Sequence, residues 1–458
     1  MNEQIRAMIH HKYIEPTEKK REMFVGAEIE LPIVNLQGKA TDHTVCQKVF
    51  LKAIRHFGFE PVKYDFNHRC HEAVHKDTGD IFSFDCSYQN FEISFGKERN
   101  LQEIDYRFRQ YLTYWNKELS ITGHIITGMG IHPYYNQCSK QYIPNKRYQM
   151  LEGYLKKSRL WKKEGGFHSY PAFGTFTSST QMQLDVQQDQ LIRTLKVFSL
   201  LEPVKSLLFS NSVMQQEPDY LCARDMLWEF STHGINPRNV GMYDTVPKSI
   251  EEMIDYIAYT SIFCTEREGK YVFFHPIPIA EYFSKRRIEA ELYQDGHFVP
   301  FVIEPQWEDL NYLRIYKFLD LTSRGTIEYR SLCTQPLKET FCGIALQLGL
   351  AENLSALEVL FQQDTVLYRH GFSAHELRKM FNVGYIPDLM DRTALTERIL
   401  EIVRLSEEGL RKRGFGEEKY LMPVFERALR LSSAGKDMKE HLAKGLDLNE
   451  VVLEYAKL

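Results

Sequence analysis

The sequence lacks the patterns that mark membrane, secreted and nucleic-acid-binding proteins. No stretch approaches the roughly 18 apolar residues of a membrane helix, and residues 1–6 have no apolar core of the kind that a signal peptide needs. The formal net charge is −4 and the pI is near 6.5, whereas a nucleic-acid-binding protein is usually basic. We therefore expect a cytoplasmic protein with neither membrane nor nucleic-acid partners.

Two further absences concern cysteine pairs and glycine-rich loops. The eight cysteines are scattered without a Cys-x-x-Cys, which favours reduced thiols over a disulfide framework. No Gly-x-x-x-x-Gly-Lys occurs, and Gly128-Met129-Gly130 lacks the third glycine of a dinucleotide-binding turn. A nucleotide site in this chain would have to be built from metals, strands and arginines.

Boundaries between domains are also absent. The 458 residues are 43% hydrophobic and 13% aromatic, enough for a sizeable core, and no Pro/Gly/Ser-rich linker or repeat divides them. We predict a single catalytic domain over residues 1–458, in which 1–345 carry the functional strands and 346–458 are mainly helical. Strands and helices are mixed rather than strictly alternating, which favours an α+β fold.

The most informative feature that is present is the stretch FVGAEIELP at residues 24–32. Successive side chains of a strand point to opposite faces, so Glu28 and Glu30 share one face, opposite alanine, isoleucine and leucine. Two carboxylates about 7 Å apart on one face repel each other, and a divalent cation is the simplest compensation. A surface strand with two solvated glutamates is the alternative interpretation.

Three later segments repeat this design, at residues 85–95, 180–185 and 326–332. Their polar faces carry Glu92 with Asp85 upstream, Gln181 with Gln183 and Asp185, and Glu328 with Arg330. An antiparallel sheet with one buried face gives this alternation. Because glutamate and glutamine recur where threonine and lysine would serve an exposed face, we predict a sheet face lined by oxygen ligands. Such a face suits Mg²⁺ or Mn²⁺.

Two amphipathic helices are also predicted. Apolar residues recur at helical spacing over residues 47–57, before Gly58, and over residues 395–413, before Gly414. A glycine at this position is a common helix C-cap. We expect both helices to pack against the core rather than to bind a ligand.

Six motifs follow one another along the chain: Gly26-x-Glu28-x-Glu30, Gln89-x-Phe91-Glu92-x-Ser94, Pro144-x-x-Arg147-Tyr148, Thr180-Gln181-x-Gln183-Leu184-Asp185, Arg224-x-x-x-Trp228 and Arg330-x-Leu332-Cys333-x-x-Pro336. Their order, continued by the helical segment at residues 405–414, resembles that of the glutamate–cysteine ligases, above all the branch found in plants and many bacteria. No single motif is specific, but together they cover nearly the whole chain. The resemblance implies an antiparallel sheet curled into a funnel, as in the glutamine synthetase superfamily.

The activity that the resemblance implies is the ATP- and Mg²⁺-dependent joining of L-glutamate to L-cysteine, the first step of glutathione biosynthesis. The γ-carboxylate of glutamate would attack the γ-phosphate of ATP, and the cysteine amine would then displace phosphate from γ-glutamyl phosphate. This chemistry needs no protein nucleophile, but it needs positive charge where two anions meet. A γ-glutamyl ligase for another amine and a non-catalytic nucleotide-binding relative are the alternatives.

The resemblance also implies roles for individual residues. The implied metal ligands form two clusters, Glu30, Asp85 and Glu92, and, on the nucleotide side, Glu28, Gln181 and Glu328. Arg330, which shares a strand face with Glu328, would contact the transferred phosphoryl group, since a guanidinium can bind two phosphate oxygens at once. The implied substrate-binding residues are Arg224, which would hold a carboxylate of glutamate, and Arg147, Tyr148, Gln183 and Trp228.

One motif favours a different enzyme. His71-Glu72-Ala73-Val74-His75 matches the His-Glu-x-x-His signature of zinc proteases, which requires a helix that places both histidines on one face. Residues 76–80 are typical of a turn, and residues 81–84 of the returning strand of a hairpin. We therefore predict a strand, on which the two histidines lie about 13 Å apart, too far for one zinc ion.

Overall fold

The computed structural model describes residues 2–20, 22–294 and 297–458. Its strands are β1 (Val25–Asn35), β2 (Glu60–Tyr64), β3 (Cys70–Val74), β4 (Ile81–Phe84), β5 (Asn90–Ser94), β6 (His124–Ile126), β7 (Ser179–Asp185), β8 (Val240–Gly241), β9 (Ser261–Arg267), β10 (Lys270–Pro278), β11 (Ile288–Gln294), β12 (His297–Ile303), β13 (Tyr316–Lys317), β14 (Leu319–Leu321) and β15 (Thr326–Cys333). Strands and helices are mixed along the chain, as predicted.

Helices fill most of the space between the strands and the whole C-terminal part. They are α1 (Glu3–Ile9), α2 (His43–Phe57), α3 (Leu101–Ser120), α4 (Lys146–Lys156), α5 (Gln188–Phe209), α6 (Ala223–Glu229), α7 (Ile250–Ala258), α8 (Ile279–Tyr282), α9 (Cys342–Glu352), α10 (Leu354–Gln362), α11 (Ala374–Asn382), α12 (Arg392–Arg413), α13 (Met422–Arg430), α14 (Ala434–Ala443) and α15 (Leu448–Tyr455). Short 3₁₀ and π-helical turns connect several of these elements.

The main sheet is antiparallel. Within the described residues its strands follow the order β14-β15-β7-β1-β5-β4-β3-β2, with β6 beside β1, and each neighbouring pair is antiparallel. The four segments that the sequence marks as strands, β15, β7, β1 and β5, are adjacent in this order. The predicted antiparallel sheet in a mixed fold is therefore confirmed.

One face of the main sheet is apolar and carries the core. Ile29 on β1 is fully buried, as are Phe91 on β5 and Trp115 on α3, whose rings stack with their centroids 4.0 Å apart. Helix α5 covers the same face near β15, where the ring of Phe198 meets that of Tyr329 edge to face at 4.9 Å. Burial of these large side chains fixes which face of each strand points inward, and the carboxylates must therefore lie on the other face.

A second, smaller antiparallel sheet has the strand order β12-β11-β10-β9. Helix α4 packs on it, with Tyr154 of the helix stacked on Phe263 of β9 at a centroid distance of 4.1 Å. Nothing in the sequence analysis predicted this sheet. Its importance for the site is that it supports α4, which carries Lys146, Arg147 and Tyr148.

From Cys342 onward the described elements are helices. Helices α9 and α12 cross closely at Gly409, where an added Cβ would lie 1.9 Å from the backbone oxygen of Gly349, so only glycine fits there. Helix α12 ends at Gly414, with φ of +75°, and α2 ends at Phe57, so both predicted helix ends are confirmed.

The described residues contain no single helix that is long and apolar enough to cross a membrane. One bent pair, Leu337–Glu352 with Leu354–Gln362, meets the criteria of length and composition together, with an angle of 86° between its two halves.

Candidate functional site

A cavity of about 840 Å³ lies against the polar face of the main sheet. Strands β1, β2, β3, β4, β5, β7, β10, β13 and β15 contribute to its lining together with α4 and α6, and connecting segments complete it. The predicted site residues that line the cavity are Glu28, Glu30, Asp85, Glu92, Arg147, Tyr148, Gln181, Arg224, Trp228 and Arg330. The structure thus brings together residues from position 28 to position 330.

Three carboxylates form a tight group in this cavity. Glu30 on β1 stands directly opposite Glu92 on β5, and Asp85 follows the end of β4. One carboxylate oxygen from each residue lies within 4.8 Å of the others. This spacing allows one ion to contact all three carboxylates, and carboxylate oxygen is the ligand that Mg²⁺ and Mn²⁺ prefer.

Neutral groups hold these carboxylates in place. Glu30 accepts hydrogen bonds from the Ser179 backbone N–H (2.8 Å), the Ser179 hydroxyl (2.9 Å) and the Gln181 amide (3.0 Å). Glu92 accepts from the hydroxyls of two serines, and Asp85 accepts from the Tyr148 hydroxyl at 3.1 Å. Among the described residues, none of the three carboxylates forms an ion pair with a lysine or arginine.

The electrostatics of the group follow from burial and mutual repulsion. Burial, with a further contribution from Asp85, raises the pKa of Glu30 to about 7. Burial also raises the pKa of Glu92 well above its usual value, and the charges of Asp85, Glu28 and Glu30 raise it further. Without a cation, Glu30 and Glu92 retain protons at a pH at which an exposed glutamate is ionised. A bound divalent cation would favour the ionised form, because it would supply the missing positive charge.

A second polar group lies along β1, β7 and β15. The Gln183 amide donates to Glu28 at 3.2 Å and to Glu328 at 3.0 Å, and so bridges the two carboxylates. Arg330 donates to Glu328 at 2.5 Å, and Arg324 donates to the Gln183 carbonyl oxygen at 2.6 Å. Glu328 and Gln183 do not themselves line the cavity, but they contact Arg330 and Glu28, which do.

The arginines come from different elements. Arg224 lies on α6, is 7% exposed, and donates to the backbone oxygen of Leu332 at 3.1 Å. Its Nε, also buried, has no hydrogen-bond partner among the described residues. Arg147 lies in the first turn of α4 and is exposed to the cavity, with its guanidinium 5.5 Å from the ring centre of Tyr148. Both side chains therefore have donors available for an anionic ligand.

Comparison with known proteins gives relatives in one enzyme class, although no family model matches the chain. The chain is 21% identical over 311 residues to the chloroplastic glutamate–cysteine ligase B of Oryza sativa subsp. japonica, covering 65% of this chain and 56% of that protein. It is 23% identical over 316 residues to the chloroplastic glutamate–cysteine ligase of Solanum lycopersicum, covering 65% and 54%. The chain is related to the plant glutamate–cysteine ligases. It spans little more than half the length of these relatives.

A solved glutamate–cysteine ligase has a similar fold. The enzyme from Francisella tularensis, determined in complex with AMP, matches with a TM-score of 0.51 over 96% of this chain and 88% of its own, at 13% identity. At this identity the likeness shows a shared fold. The resemblance to glutamate–cysteine ligases that the motifs indicate is confirmed by the plant relatives and by this fold.

The structure shows which carboxylates Gln181 and Gln183 contact. Gln181 stands opposite Glu28 in the strand register, and its amide donates to Glu30 in the three-carboxylate group. Gln183, for which substrate binding stays a prediction, bridges Glu28 and Glu328. Both glutamines share one face of β7, and the sequence pattern does not distinguish which carboxylate each of them meets.

The His-Glu-x-x-His segment forms strand β3 and not a helix. It pairs with β4 through a turn in which the backbone N–H of His75 donates to the Asp80 oxygen at 2.8 Å. The predicted hairpin is therefore confirmed, and the helical geometry that a zinc protease requires is not formed.

Several cavity or neighbouring residues were missed by the sequence analysis as contributors to the site: Lys63, His71, Glu72, Arg314, Tyr316 and Asp320. Asp320 on β14 stands directly opposite Glu328, and burial, followed by the charge of Glu328, raises its pKa to about 8. The alternation Leu319-Asp320-Leu321 marks it in the sequence, but this pattern spans only three residues. His71 and Glu72 were considered only as part of a zinc-protease signature, so their position in the cavity was not predicted.

Proposed function

We propose that this protein is an ATP-dependent ligase that joins the γ-carboxylate of L-glutamate to the amine of L-cysteine. The observation that carries the proposal is the group formed by Glu30, Asp85 and Glu92, in one cavity with Arg224 and Arg330, in a chain related to glutamate–cysteine ligases. The product would be γ-glutamylcysteine, and the reaction would be the first step of glutathione biosynthesis.

The cofactors of the proposed reaction are ATP and Mg²⁺, with Mn²⁺ as a substitute. Glu30, Asp85 and Glu92 fit a hard divalent cation because their oxygens converge within 4.8 Å and lack an internal cation. Glu28 and Glu328, joined by Gln183, would form the nucleotide-side pair. A divalent cation bound here would supply the charge that lets two anionic substrates approach. The AMP complex of the Francisella enzyme agrees with an adenine nucleotide as substrate.

The arginines would act on different anions. Arg224 is buried beside the cavity with an unpartnered Nε, which suits a fixed clamp on a carboxylate of glutamate. Arg330 is tethered to Glu328 by one nitrogen and has further N–H donors for the transferred phosphoryl group. Transfer then moves the γ-phosphoryl from ATP to the glutamate γ-carboxylate, and Arg330 stabilises the charge that spreads over the phosphoryl oxygens. Arg147, Tyr148 and Trp228 would complete the substrate-binding surface.

The proposal extends to the architecture. The main sheet, with its polar face toward the cavity, would be curled into the funnel of the glutamine synthetase superfamily. One continuous hydrophobic core includes Ile5, Ile29, Leu184 and Leu410, which supports a single catalytic domain over residues 1–458. A cytoplasmic location remains part of the prediction.

The deciding experiment is phosphate release with ATP and glutamate, measured with a panel of amines and with no amine. We expect cysteine to give the largest kcat/KM and γ-glutamylcysteine as the product, identified by mass spectrometry. A larger kcat/KM for another amine would assign a different γ-glutamyl ligase. Nucleotide binding without any phosphate release would indicate a non-catalytic relative, which the intact set Glu28, Glu30, Glu92, Glu328 and Arg330 argues against.

A further inference from the structure

One end of the cavity carries residues to which neither the motifs nor the roles proposed above give a function. Across β2, β3, β4, β5 and β1 the register places five polar residues directly opposite one another: Lys63, Glu72, Ser83, Glu92 and Glu30. We call this set the polar row. Neighbouring strands lie about 4.8 Å apart, so Glu72 stands about 10 Å from Glu92, two strand spacings away. This distance between Glu72 and Glu92 leaves room for a small molecule beside the three-carboxylate group.

A β-bulge turns a histidine into this end of the cavity. Lys63 pairs with Glu72 and Tyr64 pairs with Cys70, so His71 is the extra residue on β3. A bulge re-aims a side chain that regular alternation would send to the other face, and both His71 and Glu72 line the cavity. Among the described residues, the His71 imidazole forms no hydrogen bond with another residue, and its hydrogen bond is to its own backbone.

The charge state of His71 suits a proton acceptor. Burial lowers the pKa of His71, so the imidazole is neutral near neutral pH. The charged groups that act on it are Glu72 and Asp65, which raise its pKa, and Lys63, which lowers it. A neutral imidazole in a cavity has a free lone pair for a substrate proton.

Beside His71 lies an ion pair that remains open to a ligand. The Lys63 ammonium is 2.8 Å from the Glu72 carboxylate, and the two side chains are 59% and 20% exposed. Lys63 has further donors and Glu72 a second oxygen, so both can bind another partner. Val62, Tyr64 and Phe66, each about half exposed, line the same end with apolar surface.

We propose that this end of the cavity binds the amine acceptor as an α-amino acid. Lys63 holds the acceptor carboxylate, Glu72 holds the ammonium group, and His71 removes its proton. A zwitterion carries the two charges that an open lysine–glutamate pair complements, whereas a simple amine would engage only Glu72. The inference rests on the proposed ligase function and adds to it the residues that bind, select and deprotonate the acceptor.

The chemical step is a proton transfer followed by acyl transfer. His71 takes one proton from the acceptor ammonium, and the lone pair of the resulting amine attacks the γ-carbonyl carbon of γ-glutamyl phosphate. The C–N bond forms, the bond between that carbon and the phosphate oxygen breaks, and the second amine proton leaves with the phosphate. His71 then returns its proton to solvent, so no oxidant or further reactant is needed.

The first test compares two acceptors that differ in their need for a base. Hydroxylamine is largely unprotonated near neutral pH and carries no carboxylate, whereas cysteine is a zwitterion. In His71→Gln and His71→Ala we expect the ratio of cysteine ligation to γ-glutamyl hydroxamate formation to fall at least about tenfold. His75→Ala, just after the end of β3 and outside the cavity, is the matched control and should keep the wild-type ratio.

The second test isolates the acceptor carboxylate. Cysteamine is cysteine without that group, so Lys63→Gln should lower kcat/KM for cysteine about tenfold or more relative to kcat/KM for cysteamine. Lys76→Gln is the control, because Lys76 pairs with Glu60 on the same hairpin but does not line the cavity. Thermal melting of each variant establishes that the protein is folded.

The outcomes separate this inference from the function on which it rests. Wild-type protein that forms neither ADP nor hydroxamate would contradict the ligase proposal itself. Wild-type hydroxamate formation, with acceptor ratios unchanged in the His71 and Lys63 variants, would overturn the acceptor site and leave the ligase intact. An equal loss with all acceptors would assign these residues to folding or to the first half-reaction, and would also overturn the inference.

Discussion

Two groups of carboxylates share one face of the main sheet, and they differ in what balances their charge. Glu30, Asp85 and Glu92 are held by hydroxyl, amide and backbone donors, without an ion pair among the described residues. Glu328 is paired with Arg330 at 2.5 Å and linked through Gln183 to Glu28. The first group therefore has no cationic side chain paired with it in the described part of the chain, while the second already contains a guanidinium.

The strand register explains this difference. Between β1 and β5 an acid faces an acid, because Glu30 stands opposite Glu92. Between β7 and β15 an amide faces an acid, because Gln183 stands opposite Glu328, and the arginine follows two residues later on the same strand. The same alternating pattern thus gives a group of unpaired carboxylates where two acidic strands meet, and a charge-balanced group where an amide strand intervenes.

The largest expected effect tests whether the first group needs its full charge. Glu30→Gln and Glu92→Gln should each lower turnover by at least about a thousandfold, because a metal ligand lost from the site removes several kcal/mol of charge stabilisation. Both variants should stay folded, since the substitution relieves carboxylate repulsion. Steady-state phosphate release at saturating Mg²⁺ measures the effect.

Glu60→Gln is the control for these variants, because Glu60 lies on β2, is exposed and does not line the cavity. Near-normal turnover in Glu30→Gln or Glu92→Gln would show that the residue is not a ligand.

The second prediction compares Arg330 with Arg224. Arg330→Lys keeps the charge but loses the planar fork, so kcat should fall about a hundredfold while KM for glutamate changes little. Arg224→Lys should raise KM for glutamate with a smaller loss in kcat, because a carboxylate clamp acts on the bound substrate throughout. Kinetics of both variants with varied glutamate provide the measurement. A change confined to KM in Arg330→Lys would contradict its contact with the phosphoryl group.

The smallest expected effect is on stability. The folded-state pKa of Glu30, about 7, lies above the ordinary value of 4.5, so the metal-free folded protein binds the extra proton more tightly than the unfolded chain. Its contribution to the free energy of unfolding is full below about pH 4.5 and is lost as pH rises through about 7. The loss is at most about 3 kcal/mol, or roughly 3 °C in Tm for a chain of this length.

Thermal melts in the presence of a chelator at pH 5 and pH 8 check this prediction. Between these two pH values, the Tm of Glu30→Gln should fall less than the Tm of the wild type. Added Mg²⁺ should raise the Tm of the wild type more at pH 8 than at pH 5. A wild-type Tm that rises over this interval by more than that of Glu30→Gln would contradict the assigned direction.

Much of the site could be predicted because it lies on strands. Period-2 alternation identified the faces of Glu28, Glu30, Glu92 and Glu328, and burial of the apolar side leaves the acids no other face to occupy. The period-2 alternation could not predict the order of the strands, because pairing between β1 and β7 joins segments that are far apart in the sequence. Which side chains lie close to one another became clear only from the strand register in the structure.

The residues that were missed, and the contacts that were not predicted, have different physical causes. His71 reaches the cavity through a bulge, and an extra residue in a strand breaks the alternation on which the prediction relied. Gln181 and Gln183 lie on one face, and small differences in side-chain direction decide which carboxylate each contacts. Asp320 sits on a strand of three residues, too short for its pattern to stand out.

The unbalanced acidic face has a consequence for the order in which molecules enter the cavity. Glutamate and ATP are anions, and the free protein presents Glu28, Glu30, Asp85 and Glu92 to both of them. Above about pH 7, where Glu28 and Glu30 lose their protons, like charges in a partly enclosed cavity oppose entry. We therefore expect the divalent cation to enter first or together with the nucleotide. Glutamate should follow, so that initial-rate kinetics show an ordered rather than a random sequence.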